Sequence, residues 1–264
     1  MRNHTKMELL APAGNMDCLK AAVQSGADAV YFAGKQFGAR SFADNFSEEE
    51  IKAAADYCRL YGAKSYVTVN TMTLDREFSA LDRYIKVLAD SGIDGVIVQD
   101  IGVMARIHQL CPSLPLHGST QMTVHNLAGV KALERMGAKR VVLAREMSAQ
   151  EIAHVIRHCT AEIEVFVHGA MCMSYSGQQR AGRPERQPRQ VRPALPSALS
   201  RKRRRRAVLP EFKGYVAAQS LRAAVRDGRF VLKNRGSHEG RLVCFGGGAG
   251  VSQLHRFDAP TEPG

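Results

Sequence analysis

Two residues with reactive side chains lie four positions apart near the end of an apolar segment. His168 and Cys172 occur in VFVHGAMC, whose first half is typical of a buried strand. An imidazole and a thiolate at this spacing could bind a metal ion, or could act as a base and a nucleophile. A cysteine is also a common small core residue, so the pair alone leaves these interpretations open.

Other polar residues also lie where apolar segments stop, and these include Gln99 and Gln121. In a barrel of parallel strands, the carboxyl ends of the strands form the active-site face. We therefore predict one shared pocket. The candidate catalytic residues, with no roles assigned, are Asn70, Asp100, His117, Arg145 and His168. The alternative is that each caps a helix or satisfies loop backbone, and Asp100 is also a predicted N-cap.

The segments that must position these residues alternate strand and helix over residues 8–171. Ser47 and Glu50 form a predicted capping box, and Gly26 and Gly62 are predicted helix ends. Short apolar strands separated by helices predict a parallel sheet. The spacing is uniform and no GxGxxG motif follows the first strand, so we predict a (β/α)8 TIM-like barrel rather than an open doubly wound sheet. The predicted strands are ELLAPAG, AVYFAG, KSYVTVN, GVIVQD, PLHGST, RVVLAR and EIEVFVHGAM.

The chain changes character near residue 179. Residues 1–178 carry 18 Lys+Arg against 19 Asp+Glu, whereas the remaining 86 residues carry 19 against 6 and seven of the ten prolines. No clean eighth strand follows residue 171, so the predicted α/β barrel over 7–178 is incomplete, with about seven strands and two unpaired edges. Residues 179–264 are rich in Arg and Pro and bury too little apolar surface to order themselves, so we expect a disordered basic tail.

Composition excludes some classes of protein. No apolar run approaches the roughly 18 residues of a membrane span, and the first residues lack the apolar core of a secretory signal. The six cysteines show no disulfide-framework spacing, which fits a reducing cytoplasm. We therefore expect a cytoplasmic protein with no membrane partner, and the oligomeric state is left open.

The stretch EVFVHGAMCMSYSG resembles the signature of the collagenase-like peptidase family, peptidase family U32. ELLAPAG, AVYFAG and LHGSTQMTVHN are similar to the same family, so the resemblance covers about residues 7–178. Gln179 stands where the signature has a second cysteine. The signature residues that match are Glu164, Phe166, Gly169, Ala170, Met171, Cys172 and Gly177.

The resemblance implies several activities. The family takes its name from peptidases, which are hydrolases, but other members resemble enzymes that hydroxylate tRNA or 23S rRNA, or ubiquinone-biosynthesis hydroxylation factors. Several bind a [4Fe–4S] cluster through four cysteines. By this resemblance Cys172 is a remnant iron–sulfur ligand, and we expect the chain as written to hold no cluster. The substrate implied for intact relatives is RNA or a peptide.

A shifted reading frame accounts for the change near residue 179. Back-translating residues 181–200 with permitted codons and moving one nucleotide forward yields LGGRNGNRGKCAQPCRLPF, which resembles the missing family segment. The same operation on residues 210–218 and 231–240 yields LSLKDMSLL and SLKIEGRMK, in family order. We therefore predict that the frame slips between residues 178 and 181, and that the chain as written is an inactive, truncated family member.

Two functions from different classes follow. The cysteine pattern of the family and the lack of an evident Ser–His–Asp triad favour an RNA-hydroxylating enzyme over a peptidase for intact relatives. The alternative is a nucleic-acid-binding protein that uses RKRRRR, residues 201–206, to neutralise phosphates. We favour the interpretation that this Arg- and Pro-rich tail is what a GC-rich gene encodes when it is translated out of frame, over that of an evolved basic arm.

Overall fold

The computed structural model describes residues 8–39, 44–169 and 230–235, of which 167–169 and 230–235 are described as backbone. Within them, parallel strands alternate with helices and close into a barrel in the order β1 to β8. The strands are β1 Glu8–Pro12, β2 Ala29–Ala33, β3 Lys64–Val69, β4 Gly95–Val98, β5 Leu116–Gly118, β6 Ala138–Val142, β7 Glu162–Gly169 and β8 Phe230–Arg235. The helices are α1 Met16–Gln24, α2 Glu48–Leu60, α3 Phe78–Asp90, α4 Ile101–Leu110, α5 Leu127–Arg135 and α6 Ala149–His158.

The predicted α/β barrel and its first seven strands are confirmed. The eighth strand differs from the expectation of an incomplete barrel. Residues Val231–Lys233 pair with Glu8–Leu10 of β1, and Phe230–Arg235 pair with β7 from Ile163 to Gly169. The run FVLKNR has six residues, as many as β3, but it lies in the segment rich in Arg and Pro where we expected disorder, so only its pairing with β1 and β7 identifies it as a strand. The predicted disorder of the rest of 179–264 lies outside the described residues.

Local signals set the helix ends as expected. The Ser47 side chain accepts a hydrogen bond from the Glu50 amide at 3.2 Å, and the Glu50 carboxylate accepts one from the Ser47 amide at 2.7 Å. Gly26 and Gly62 follow α1 and α2 with φ of 92° and 70°, where a side chain would be strained. Among the described residues, no helix has the length and apolar content to cross a membrane.

The core has two layers because alternate strand residues face opposite sides of the sheet. The larger apolar layer lies between the strands and the helices and includes Val67, Val96 and Val141. A smaller cluster, drawn from alternate positions of β1 to β4, fills the interior of the barrel; its members are Leu10, Ala29, Tyr31, Tyr66 and Ile97. Asn70, Asp100 and Arg145 follow the carboxyl ends of β3, β4 and β6.

Glu134 of α5 connects that helix to the turn before β7. Its carboxylate accepts hydrogen bonds from the Thr160 hydroxyl at 2.9 Å and the Ala161 amide at 2.8 Å, and it pairs with Lys131 at 3.0 Å. Burial raises the pKa of Glu134, but the bonds from Ala161, Lys131 and Thr160 outweigh it and lower this pKa to about 2. The carboxylate therefore stabilises the fold above pH 4.5, and this contribution is lost as the pH falls toward 2.

We expect Glu134→Gln to lower the free energy of unfolding at pH 7 by about 1–2 kcal/mol, because charge-assisted bonds become neutral ones. The difference in the free energy of unfolding between wild type and variant should shrink as the pH falls from 4.5 to 2. Urea denaturation at several pH values measures it. Asp90→Asn, at the exposed end of α3, is the control and should change little. A pH-independent difference would contradict this account.

Candidate functional site

Asn70 connects two loops across the carboxyl end of the barrel. It follows β3, and its Oδ1 accepts a hydrogen bond from the Ala39 amide at 3.1 Å. Its Nδ2 donates to Oε1 of Gln121, in the loop after β5, at 2.8 Å. The predicted pocket residue Asn70 therefore lies at the mouth, and it fixes the position of Gln121 there.

Asp100 is engaged by backbone amides. Its Oδ1 accepts hydrogen bonds from Gly102 at 2.8 Å and Val103 at 3.1 Å, which confirms the predicted N-cap of α4. Its Oδ2 accepts one from the Thr73 amide at 3.2 Å. Because one oxygen caps α4 and the other holds the loop after β3, Asp100 shapes the mouth rather than presenting a free carboxylate to it.

His117 lies deeper than a residue of the rim. It is 4% exposed on β5, and its ring packs edge-on against the Tyr66 ring with centroids 4.7 Å apart. A Cβ on Gly95 would lie 2.9 Å from the Pro115 carbonyl oxygen and 3.3 Å from His117 Nε2, so the glycine makes room for the β5 backbone and for the imidazole. The structure therefore places His117 in the barrel interior, below Asn70 and Gln121.

Arg145 lies at the mouth, three residues after β6. Its guanidinium carbon is 5.3 Å from the centroid of the Phe166 ring on β7. Its Nε is buried and has no hydrogen-bond partner among the described residues. The neighbouring Ala144 amide donates to the Val124 carbonyl at 2.8 Å, which joins the loop after β6 to the loop after β5.

Sequence patterns missed two hydroxyl groups at the same end of the barrel. Thr73 Oγ1, after β3, and Thr120 Oγ1, after β5, are buried without a hydrogen-bond partner in the described part of the chain. Their loops include backbone in the left-handed region at Thr123, with φ of 55°, and the loop after β2 contains Phe37 at 54°. Unsatisfied polar atoms and strained non-glycine backbone concentrate at ligand sites. Neither the burial of these hydroxyls nor the left-handed backbone has a local sequence signal.

His168 and Cys172, the predicted reactive pair, lie at or beyond the end of the described part of β7. His168 is on β7, but its side chain is not among the described ones, and Cys172 lies outside the described residues. Cys58 and Cys159 are buried in the helical layer, and burial, with a smaller effect of Asp94, raises the pKa of the Cys58 thiol to about 12. In the ranges described, no three His, Cys, Asp or Glu side chains converge on a metal site. These cysteines do not fit an iron–sulfur cluster.

The opposite end of the barrel interior holds a charge cluster centred on Arg140. Its Nη1 lies 2.7 Å from Glu8 Oε1, and its Nε lies 2.7 Å from Glu162 Oε2. Glu164, the first signature residue, is fully buried 3.7 Å from Arg140 Nη1. The Tyr66 ring lies under the guanidinium, 5.0 Å from its carbon. In barrels this amino-terminal face serves stability, so the structure gives Glu164 a structural role.

Comparison with known proteins decides the family. A sequence profile described as peptidase family U32 matches residues 14–181, which is more than half of the 264 residues. The chain belongs to peptidase family U32. The resemblance seen in the signature around Glu164 and Phe166 is thereby confirmed.

The relatives of this U32 family member differ in activity. It is 44% identical over 173 residues to the tRNA hydroxylation protein P1 of Bacillus subtilis, covering 66% of this chain and 41% of that protein. It is 39% identical over 173 residues to a 23S rRNA 5-hydroxycytidine synthase of Escherichia coli, covering 66% and 26%. It is 33% identical over 189 residues to a collagenase of Porphyromonas gingivalis, covering 67% and 45%. The chain thus spans less than half the length of these relatives.

A solved structure of a U32 peptidase supports the fold. It superposes with a TM-score of 0.60 at 15% identity and covers 90% of this chain and 96% of the other. At that identity the likeness concerns the barrel architecture alone.

Proposed function

We propose that this U32 family member is the barrel portion of an RNA-hydroxylating enzyme whose substrate binds at the carboxyl end of the barrel. The observation that carries the proposal is the 44% identity to a tRNA hydroxylation protein, against 33% to a collagenase, over segments of similar length. The 39% identity to an rRNA hydroxycytidine synthase adds a second RNA-acting relative. RNA is therefore favoured over a peptide as the substrate, and we place the enzyme in the cytoplasm.

The mouth of the barrel suits nucleotide binding better than triad hydrolysis. Both carboxylate oxygens of Asp100 accept hydrogen bonds from backbone amides, and His117 packs on Tyr66 inside the barrel. Neither residue is therefore positioned to act in a catalytic triad. RNA-modifying enzymes take an unstacked base into a pocket and hold the adjoining backbone. Gln121 and Arg145 supply amide and guanidinium groups of the kind that contact bases and phosphates.

We also propose that the frame slips between residues 178 and 181 and leaves a truncated, inactive chain without a cluster. The family match ends at residue 181, at the same place. The strand β8, residues 230–235, overlaps residues 231–240, one of the three segments that resemble family sequence after the shift. After the frame slip the chain would then still have a strand at the eighth position of the barrel, whereas the cysteine-bearing segment of the family would be missing.

Complementation tests this function. A Bacillus subtilis strain that lacks the tRNA hydroxylation protein P1 should regain hydroxylated nucleosides in its tRNA when it expresses the frame-restored gene, because the cysteine-bearing segment returns. A gene that encodes the present sequence should restore no hydroxylated nucleosides. Mass spectrometry of digested tRNA and 23S rRNA measures both outcomes. Cleavage of gelatin by the frame-restored protein, with RNA unchanged, would support the peptidase assignment and overturn the proposal.

The nucleic-acid-binding alternative depends on residues 201–206, which lie outside the described residues. It requires a salt-dependent RNA affinity that persists when residues 1–178 are deleted. Loss of that affinity on deletion would leave the barrel as the RNA-binding part.

A further inference from the structure

Two arginines five residues apart have opposite surroundings. Arg140 within β6 contacts the carboxylates of Glu8, Glu162 and Glu164. Arg145, just past the end of β6, has no carboxylate within salt-bridge distance among the described residues, and its buried Nε has no hydrogen-bond partner there. A guanidinium has five N–H donors and always carries its charge, so a half-buried one without an anion is costly unless a ligand supplies the anion.

The position of Arg145 is set by packing. The Phe166 ring beneath the guanidinium is 7% exposed, and a cation stacks favourably on an aromatic face. The bond from the Ala144 amide to the Val124 carbonyl holds the Arg145 loop against the loop that carries Thr120. Thr120 Oγ1 is a second buried polar atom with no described partner. A preoriented cation and a hydroxyl on adjoining loops are the components of an anion site.

We infer that Arg145 binds a backbone phosphate of the RNA substrate at the mouth of the barrel, and that the Thr120 hydroxyl assists it. The guanidinium plane matches the oxygens of phosphate in a two-bond contact. The same plane also matches a carboxylate, and phosphate is chosen because the inference rests on the proposed RNA function. Phosphate contacts position RNA, and base contacts specify it.

Two binding measurements on the full chain test this inference. Cytidine 5′-monophosphate should bind about tenfold or more tightly than cytidine, because a charge-assisted contact is added. In Arg145→Met this ratio should fall by about tenfold. For a short single-stranded oligonucleotide, the slope of log K against log salt should decrease in Arg145→Met by about 0.7, the contribution of one phosphate. The basic tail is the same in both proteins and cancels from the difference.

Matched variants separate the effect from misfolding. Arg157→Met removes an exposed arginine of α6 and should leave the nucleotide ratio and the salt slope unchanged. Arg145→Lys keeps the charge but not the fork geometry, so it should retain part of the discrimination. This variant keeps the test valid if Arg145→Met unfolds, because the lysine ammonium still provides a cation over the Phe166 ring.

The outcomes distinguish this inference from the proposed function. RNA binding with a ratio and slope that do not depend on Arg145 would overturn the inference and leave the hydroxylation proposal intact. Arg145-dependent binding of a carboxylate-bearing peptide, with no binding of the nucleotide, would overturn both. Thr120→Val should lower the affinity for cytidine 5′-monophosphate less than Arg145→Met does, and no change in that affinity would remove Thr120 from the site.

Discussion

Replacing Arg140 with methionine is expected to lower the free energy of unfolding by about 3–5 kcal/mol, because it leaves buried carboxylates without their cation. The Arg140 side chain is 2% exposed, and Glu164 beside it is 0% exposed. Two further carboxylates, of Glu8 and Glu162, lie within 2.7 Å of its nitrogens. Urea denaturation followed by circular dichroism measures the loss.

The pH dependence of this variant follows from Glu8. Burial raises the pKa of Glu8, but Arg140 and then Lys64 outweigh it and hold this pKa below its ordinary value. The folded-state pKa is lowered, so the stabilisation is present above about pH 4.5 and disappears as the pH falls below that value. We therefore expect the difference between wild type and Arg140→Met to narrow in acid.

A surface ion pair supplies the control for Arg140. Arg106 forms two hydrogen bonds to Asp82, at 2.8 and 2.6 Å, but its side chain is 34% exposed. Exposed pairs contribute little because water and salt screen them. Arg106→Met should therefore cost much less than Arg140→Met. If the two variants lost equal amounts of the free energy of unfolding, burial would not be the reason that Arg140 stabilises the fold.

Removing β8 is expected to make the chain associate with other chains. Backbone of residues 230–235 pairs with both β1 and β7, so a chain that ends at residue 225 leaves two edges unpaired. Unpaired edges beside an apolar interior promote association with other chains. Size-exclusion chromatography with light scattering should show oligomers or aggregate, and cooperative melting should be lost.

A chain that ends at residue 240 is the matched control, because it retains β8 and loses only the residues after it. It should stay monomeric and melt cooperatively, as the full chain should. Two truncated chains that behave alike would mean that the printed residues 230–235 do not close the barrel in solution.

Much of the site was predictable because it depends on short segments. Apolar runs followed by a polar residue placed Asn70 and Arg145 at the mouth, where the structure has them. The N-cap role of Asp100 was also visible, since an acidic residue directly before a helical segment is a local signal. The burial of His117 was not predictable, because it depends on the room left by Gly95 on the neighbouring strand. The role of His168 and the cysteine ligand at Cys172 stay predictions.

Local pattern was enough for the order of the first seven strands and their helices and for the capping box at Ser47, and the signature around Glu164 was enough for the resemblance to peptidase family U32. These features depend on residues within one turn, one strand or one signature, so neighbours along the chain specify them. The partners of the two arginines and the existence of β8 required the folded barrel. Arg140 meets Glu8 across 132 positions of sequence, and β8 is held by strands at both ends of the family region. Such contacts have no local signal, because barrel closure brings together residues that are far apart in the chain.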